Sequence, residues 1–497
     1  MKYHVWTEGC QMNVADSERV SSALEHLGYE NTPVIEDADV IVLNTCVVRQ
    51  SAEEKAYGRL TTLIPVKRKR PEVVFCLMGC LVGVKDNPRL RKRFPYVDAF
   101  CPPSDPSPLI EFLIENHGHS VEQAEVTRRY AMMDGDLKLP QPIAGNQVIG
   151  WIPVVYGCSH ACTYCIIPYR RGVERSRPPE EILKEAHALA AQGVKEITLL
   201  GQIVDRYGLD QPNYPTLAEL LRKIHEINGI ERIRFLTSHP NWMTDELLDC
   251  VNDLPKVMPH IEIPNQAGDD MVLERMKRGY TSDQYRSLVN KIRLRIPGVS
   301  IATDIIVGFP GETEEQFANT YALLEELKLD NVHLARYSPR VGTVSERNMP
   351  DDVSEVEKWE RFRAIEKLQA KVARDIHATY LEKVVPILFE EKIKSRWKGR
   401  TPTNKLVFVE SEENLLGMIK PVRVYWTGPW SMLGGWKRRG EKVLVHRVLC
   451  DRCCRDGSRL FSPSLSRKKK SRHPFCPSIY SSSASASRLG SGGADHL

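Results

Sequence analysis

Three thiols crowd one short segment of this chain. In Gly157-Cys158-Ser159-His160-Ala161-Cys162-Thr163-Tyr164-Cys165 they are spaced CxxxCxxC. Thiolates this close can hold three irons of a cubane cluster and leave the fourth iron open. An open iron is a place for a cofactor or substrate to chelate, not only a relay for electrons. Zinc is the competing occupant, but structural zinc takes four ligands. No fourth cysteine follows nearby, and His160 lies awkwardly inside the tight loop. A second set of thiols is dispersed. Cys10, Cys46 and Cys80 occur in VWTEGC, IVLNTC and CLMGC, each just past a strand-like run. In a parallel sheet those strand ends share one edge, where ligands bind, so the three can converge. Three separately buried thiols are the alternative. That plainer reading is the one that suits Cys76, inside its strand, and Cys101 and Cys250.

The elements that must position these residues follow from the hydropathy pattern. Residues 1–116 alternate strand and helix: Tyr3–Thr7, then a helix from Asp16 or Ser17 to Leu27, a buried strand DVIVLN, a helix from Ser51 to Leu63, and a strand EVVFCLM. This is a Rossmann-like or flavodoxin-like β/α unit. Residues 117–148 lack periodicity and read as a linker. Residues 149–383 hold six strand candidates, at 152–156, 196–200, 232–236, 260–263, 300–309 and 331–337, separated by helical patterns. Pro178 and Gly193 bracket the clearest helix. Six β/α repeats are too few to close the usual eight-stranded barrel, so a partial (β/α)6 barrel is expected. A charged helix over Ser354–Lys383 follows. Short strands over 384–434 then indicate a small β-barrel, and 435–497, with SRKKKSRHPF and SSSASASRLGSGG, reads as a disordered or aberrant tail. KVLVHRVL in that tail is a possible final strand, and Cys450, Cys453 and Cys454 are not taken as ligands.

Composition sets outer bounds. The 497 residues, 42% hydrophobic and 27% charged, suit a multidomain globular protein. A net charge of +5 permits a nucleic-acid partner without demanding one. No run approaches the roughly 18 apolar residues of a membrane span, and no secretory signal pattern opens the chain. A cytoplasmic location is expected, where grouped cysteines point to metal or catalysis ahead of disulfides.

CxxxCxxC after the first strand of a six-repeat β/α barrel resembles the radical S-adenosylmethionine superfamily. The dispersed cysteines together with YGCSHACTYCIIPYRRG, RSRPPEEI, LLGQ, TSHP, RMKRGYT, TDIIVGFPGET and YSPRVGT resemble its methylthiotransferase family, across about residues 1–434. GRTPTNKLVFVE and PVRVYWTGPWSM are similar to the TRAM module, an RNA-binding β-barrel. The resemblance implies a radical-site 4Fe–4S cluster on Cys158, Cys162 and Cys165, and an auxiliary 4Fe–4S cluster on Cys10, Cys46 and Cys80. It implies S-adenosylmethionine as both methyl donor and radical source, with Tyr164 near its adenine. Gln202, Asp304 and Arg340, at strand ends, are candidate cofactor or substrate contacts, structural hydrogen bonding being the competing role of each.

GCQMNVADS looks like the branch that installs 2-methylthio on N6-isopentenyladenosine beside the tRNA anticodon. Action on threonylcarbamoyladenosine, or on a ribosomal-protein aspartate, is the enzyme alternative; an iron–sulfur RNA-binding protein without turnover is the non-enzyme one. Expected partners are tRNA, a reductant such as ferredoxin or flavodoxin, and a sulfur donor, with the chain a monomer and no membrane involved. Arg396, Trp397, Lys398, Arg400 and Lys405 mix cations and an aromatic ring as an RNA-contact set, against a solvated turn. The KRKR run at 67–70 reads as a solvated basic loop. Ile203, Asp205, Glu262, Asn265 and Ala267 depart from the family pattern, which puts substrate contacts in doubt more than the radical chemistry.

Overall fold

The computed structural model describes residues 1–48, 50–85, 87–117 and 147–436. Most of the expected linker, most of the tail, KVLVHRVL and Cys450, Cys453 and Cys454 lie outside them.

The amino-terminal region builds five strands, β1 (Lys2–Glu8), β2 (Glu30–Asn31), β3 (Val40–Thr45), β4 (Val74–Gly79) and β5 (Ala99–Cys101). They pair in parallel in the order β2-β1-β3-β4-β5, the flavodoxin-like winding with its switch point between β1 and β3. β3 and β4 are buried throughout, which explains their uninterrupted apolar runs. The first helix spans Gln11–His26 and starts earlier than expected, with Cys10 as its N-cap. The second spans Gln50–Lys69 and continues through Pro65. The KRKR run is therefore not a loop: Lys67, Arg68 and Lys69 form a helix end, where cations are favoured. Lys67 reaches Asp98 at 2.7 Å, and Arg70 reaches Asp39 at 3.0 Å.

Six further strands form the expected partial barrel: β6 (Ile149–Pro153), β9 (Glu196–Leu200), β10 (Arg232–Leu236), β11 (His260–Glu262), β12 (Ser300–Val307) and β13 (Asn331–Arg336). A short hairpin of β7 (Val155–Tyr156) and β8 (Arg175–Ser176) flanks the thiol loop. The arc is two parallel triplets, β6-β9-β10 and β11-β12-β13, bridged by Ile233 and Val257. Ile197, Leu199, Ile233, Phe235, Ile261, Ile301 and Ile305 join the core under the outer helices. Side chains alternate along a strand, so Glu196, Arg234, Glu262 and Asp304 face the opposite way, into the lumen.

A helix over Glu355–Ala378, closed at its start by a Ser354–Glu357 capping box, leads to the small barrel. Its strands are β14 (Val384–Ile393), β15 (Arg396–Arg400), β16 (Leu406–Glu410), β17 (Ile419–Thr427) and β18 (Met432–Gly435), closed in the order β14-β15-β16-β18-β17. β18 completes the closure, so no strand from the tail is required.

The two ends of the large barrel are covered differently. At the amino ends of its strands, Arg232 donates to the carbonyls of Arg400 and Pro386 at 2.9 and 3.0 Å, and Arg234 to those of Pro402 and Thr401. The small barrel thus caps the floor. At the carboxyl ends, Met12 and Ala15 of the first helix pack on Leu200, Trp151 and Leu236. The amino-terminal domain forms the roof.

Candidate active site

Chemistry on β/α barrels sits at the carboxyl ends of the strands, and both thiol sets meet at this roof. Cys10, Cys46 and Cys80 follow β1, β3 and β4. The thiols interact: Cys46 lies within hydrogen-bonding reach of Cys80, and Cys10 feels the charges of Arg171 and Cys80. Cys10 and Cys46 flank the switch point of the sheet, which is where open α/β sheets bind ligands. The hydrogen bond from Cys46, followed by the charge of Arg171, holds the Cys80 thiol down at about 6. Burial pushes the Cys10 thiol up.

Asn13 ties this set together. It is fully buried, and its Nδ2 donates to Asn44 Oδ1 at 2.9 Å and to the Thr45 carbonyl at 3.2 Å. Its Oδ1 accepts from the Cys10 backbone N–H at 3.3 Å and faces Cys10 Sγ at 3.4 Å. The amide therefore links the end of β1 to the end of β3. Met12 packs on the barrel. Two of the three residues after Cys10 that mark the substrate branch by resemblance thus serve the architecture of the thiol site.

In the second set, Cys158, Cys162 and Cys165 lie close enough to raise one another's charge cost, and burial pushes Cys158 up to about 11 and Cys165 to about 12. Cys162 differs. Against the cost of burial, a hydrogen bond from His160 (Nδ1 to Sγ, 3.0 Å) and the charge of Arg278 bring its thiol down to about 7. Arg278 Nη1 donates to Cys162 Sγ at 3.2 Å, while its Nε and Nη2 bind Tyr280 Oη and the Pro264 carbonyl. His160 is therefore a hydrogen-bond partner of a thiol. Its ring lies tilted 4.8 Å from that of His239, which burial holds neutral, with a pKa of about 2.

The five departures from the family pattern take up places around this loop. Ile203 packs against Cys158, Cys165 and Ile167. Asp205 is buried, its pKa raised to about 7 by desolvation, and accepts the His239 N–H at 3.0 Å. Ile203 thus lines the thiol loop, and Asp205 fixes the backbone of His239, whose ring neighbours His160. Ala267 is core, beside Phe309 and Tyr337. Glu262 lies in the lumen with Asp304 and His333, their ligating atoms all within 4.8 Å. Desolvation, then Asp304, raises Glu262 to about 8. Asn265 is 1% exposed, and its Oδ1 and Nδ2 lack hydrogen-bond partners.

Of the remaining candidates, Tyr164 packs edge-on to Phe309 at 6.4 Å, and Gln202 is half-buried just past β9. Arg340 is engaged across the roof, donating to Glu53 at 3.1 Å and Ser338 at 3.2 Å. The RNA-contact set does not form an open patch. It lies on β15 and its flank, not in a turn, with burial alternating along the strand. Trp397 is buried, and Lys405 is buried on Asp330 and Ser300 of the large barrel. Lys398 pairs with Glu391 at 2.6 Å, Arg400 with Glu390 at 3.1 Å and Arg396 with Glu410 at 2.9 Å. Elsewhere the small barrel exposes Tyr425, Trp426, Trp430 and Trp436, at 39, 48, 48 and 41%, with Lys420 5.9 Å from the Trp436 ring. Their signal, VYWTGPW, stood in the sequence among the segments that resemble TRAM.

The chemistry of the donor sets fits two iron–sulfur clusters. Each site offers three soft ligands from one side, with a guanidinium to offset their charge, and no fourth protein thiol closes either trio among the described residues. The unpartnered Asn265 amide, one residue from the carbonyl that anchors Arg278, fits a polar cofactor beside the second trio.

Comparison with known proteins agrees. Residues 152–324 match the radical SAM superfamily and residues 2–102 an uncharacterized protein family, UPF0004. A protein of Roseiflexus sp. named tRNA-2-methylthio-N(6)-dimethylallyladenosine synthase is 45% identical over 443 residues, 88% of this chain and 90% of that protein. One of the same name from Herpetosiphon aurantiacus is 46% identical over 437 residues, 87% of this chain and 97% of that protein. Among solved structures, a radical S-adenosylmethionine methyltransferase, TsrM, from Kitasatospora setae, with cobalamin and a [4Fe-4S] cluster bound, shares the fold, with a TM-score of 0.51. It is 15% identical, covering 69% of this chain and 73% of that one. No helix among the described residues is long and apolar enough to cross a membrane. The chain belongs to the methylthiotransferase family of radical S-adenosylmethionine enzymes, in its tRNA-2-methylthio-N(6)-dimethylallyladenosine synthase branch.

Proposed function

We propose that this enzyme, acting in the cytoplasm, converts N6-isopentenyladenosine beside the tRNA anticodon to its 2-methylthio derivative. Cys158, Cys162 and Cys165 hold the radical-site cluster, and Cys10, Cys46 and Cys80 the auxiliary one. The observation that carries this is the meeting of two three-thiol sites at one roof, in a chain whose relatives of this name match it nearly end to end. When bound, the clusters and S-adenosylmethionine supply one-electron chemistry, sulfur and a methyl group. Such chemistry is needed because the target C–H bond has no usable acidity, and general-base catalysis of about 10²–10⁴-fold would not open it.

The protein's own part is positioning and charge. Arg278 and His160 hold the Cys162 sulfur in place, and Ile203 backs the loop. Tyr164 and the Asn265 amide offer an edge and a polar contact for the cofactor. In the lumen, Glu262, Asp304 and His333 form a half-buried polar floor able to hold a proton. The exposed Tyr425–Trp436 aromatics, with Lys420 and Arg423, support base stacking and phosphate contact, and take over the RNA role expected of the Arg396–Lys405 set. A reduced ferredoxin or flavodoxin and a separate sulfur donor complete the reaction.

Mass spectrometry of tRNA nucleosides from a strain lacking this gene tests reaction and substrate together. The expected result is loss of 2-methylthio-isopentenyladenosine and accumulation of isopentenyladenosine. An unchanged level overturns the substrate, and loss of the methylthiolated threonylcarbamoyl nucleoside instead would assign the other tRNA branch.

A further inference from the structure

One cation of the roof crosses between domains. Arg171 ends the short Ile167–Arg171 helix that begins just beyond Cys165, so it belongs to the radical barrel. Its side chain is 2% exposed and enters the amino-terminal domain. Nε donates to Cys80 Sγ at 3.3 Å, Nη1 to Ser104 Oγ at 3.3 Å, and Nη2 to Asp16 Oδ2 at 3.2 Å. Ser104 in turn donates to the other Asp16 oxygen at 2.6 Å. All three arms of the guanidinium are thus committed, and one of them is committed to a sulfur.

The backbone around it is docked just as firmly. Ile166, next to Cys165, joins the hydrophobic core that includes Cys80, Leu81 and Val82. The Val84 N–H donates to the Arg170 carbonyl at 3.0 Å. A single stretch, Cys165 to Arg171, therefore leaves one thiol set and ends on the other.

Resting on the two-cluster reading, we propose that Arg171 is a positioning residue of the auxiliary cluster. It holds the Cys80 sulfur in its ligating place and, by its charge and its N–H, raises the potential at which that cluster accepts an electron. The physical ground is general: hydrogen bonds to ligating sulfurs and nearby charge set the potentials of iron–sulfur clusters. A cation beside a cluster favours its more negative, reduced form. Two consequences follow from the side chain's origin. The amino-terminal site is incomplete without the radical domain, and six residues of chain join the CxxxCxxC loop to that site.

The test uses the full chain with Cys158, Cys162 and Cys165 replaced by Ala, reconstituted anaerobically, so that only the auxiliary cluster remains. Iron per chain and a dithionite titration followed by electron paramagnetic resonance are read for this parent, for Arg171→Met and for Arg171→Lys. The expected result is about four irons in each and a midpoint displaced to more negative potential in R171M. The displacement corresponds to about a tenfold lower reduced-to-oxidised ratio at fixed potential, 59 mV for one electron. R171K, which keeps the charge, returns most of it. Loss of iron in R171M with an unchanged near-ultraviolet circular dichroism spectrum, rescued by R171K, supports the holding role. If R171M does not fold, Arg171→Gln, uncharged but polar, replaces it with the same expected direction. Full clusters with unmoved midpoints overturn the inference, as does loss of tertiary structure in all three variants, which would make Arg171 a brace of the fold. A parent that binds no iron overturns the two-cluster reading itself, an outcome distinct from the others.

Discussion

The two thiol trios solve one problem in opposite ways. Cys158, Cys162 and Cys165 share a single loop, so local backbone geometry alone brings them together. Cys10, Cys46 and Cys80 are contributed by three strands, and only the parallel order β1-β3-β4 places them side by side. Yet the finished sites look alike: each has one thiol held low in pKa, Cys162 at about 7 and Cys80 at about 6, and each of these touches a buried arginine. A three-thiolate site needs charge compensation however it is assembled. The loop obtains its arginine from the barrel that carries it, whereas the strand-end site borrows one from the neighbouring domain.

The largest effects should come from removing one trio at a time. Replacing Cys158, Cys162 and Cys165 by Ala should abolish formation of 5′-deoxyadenosine from S-adenosylmethionine and reductant, and lower bound iron from about eight to about four per chain. Replacing Cys10, Cys46 and Cys80 should cost the same iron but leave 5′-deoxyadenosine formation intact while ending methylthiolation. Equal loss of cofactor cleavage in both triple variants would break the division of labour.

Next in size are the glycines that precede a cysteine in each site. Gly157 has φ +62°, and a Cβ there would lie 2.1 Å from the Val173 carbonyl oxygen. Gly79 has φ +99°, and its Cβ would lie 2.5 Å from the Thr45 carbonyl oxygen. Strain of this kind costs about 1–3 kcal/mol, before the backbone clash is added. Gly157→Ala should empty the radical site and spare the other; Gly79→Ala should do the reverse. Iron counts and separate paramagnetic signals would distinguish them, and a loss shared by both sites in either variant would show that the sites do not fold independently.

How much of this was legible depended on sequence distance. The CxxxCxxC loop needed no fold to be read, and the strand-end cysteines needed only a parallel sheet, which the apolar runs of β3 and β4 indicated. The arginines were not legible. Arg171 and Arg278 stood in quoted segments, but their sulfur partners lie 91 and 116 residues away, and no periodicity encodes such a pairing. Two members of the RNA-contact set are buried for a related reason. Trp397 and Lys405 look exposed in a charged, glycine-bearing stretch, but strand alternation turns Trp397 inward and the large barrel buries Lys405. The helix over Gln50–Lys69 outran its expected end because Pro65, a usual helix breaker, is accommodated within it.

Asn13 sharpens the comparison further, since the strand-end site needs long-range braces to bring its thiols together and the loop does not. Asn13→Ala removes the hydrogen bonds to Asn44 and Thr45 and leaves the buried Asn44 Oδ1 without that donor, a loss of about 1–3 kcal/mol. Iron loading of the Cys10–Cys46–Cys80 site should fall several-fold, with 5′-deoxyadenosine formation unchanged. Full auxiliary loading in N13A would mean that the sheet alone sets the geometry.

The smallest expected effect concerns what lies near each trio. Uncharged amides, Asn13 and Asn44, brace the strand-end site, whereas the barrel lumen holds Glu262, Asp304 and His333. Desolvation, then Asp304, raises the Glu262 carboxyl from 4.5 to about 8. Between these values the folded chain retains a proton that the unfolded chain has released, so stability falls as pH rises through the window and levels off above it. Glu262→Gln cannot release that proton. The variant should therefore match the parent near pH 4.5 and gain on it up to pH 8, by on the order of 2 kcal/mol. Urea midpoints of the apo chain at several pH values would show the divergence. Parallel profiles would mean that the lumen is wet enough to ionise Glu262 at its ordinary pKa, and the polar floor of the barrel would then carry a charge where a held proton is expected.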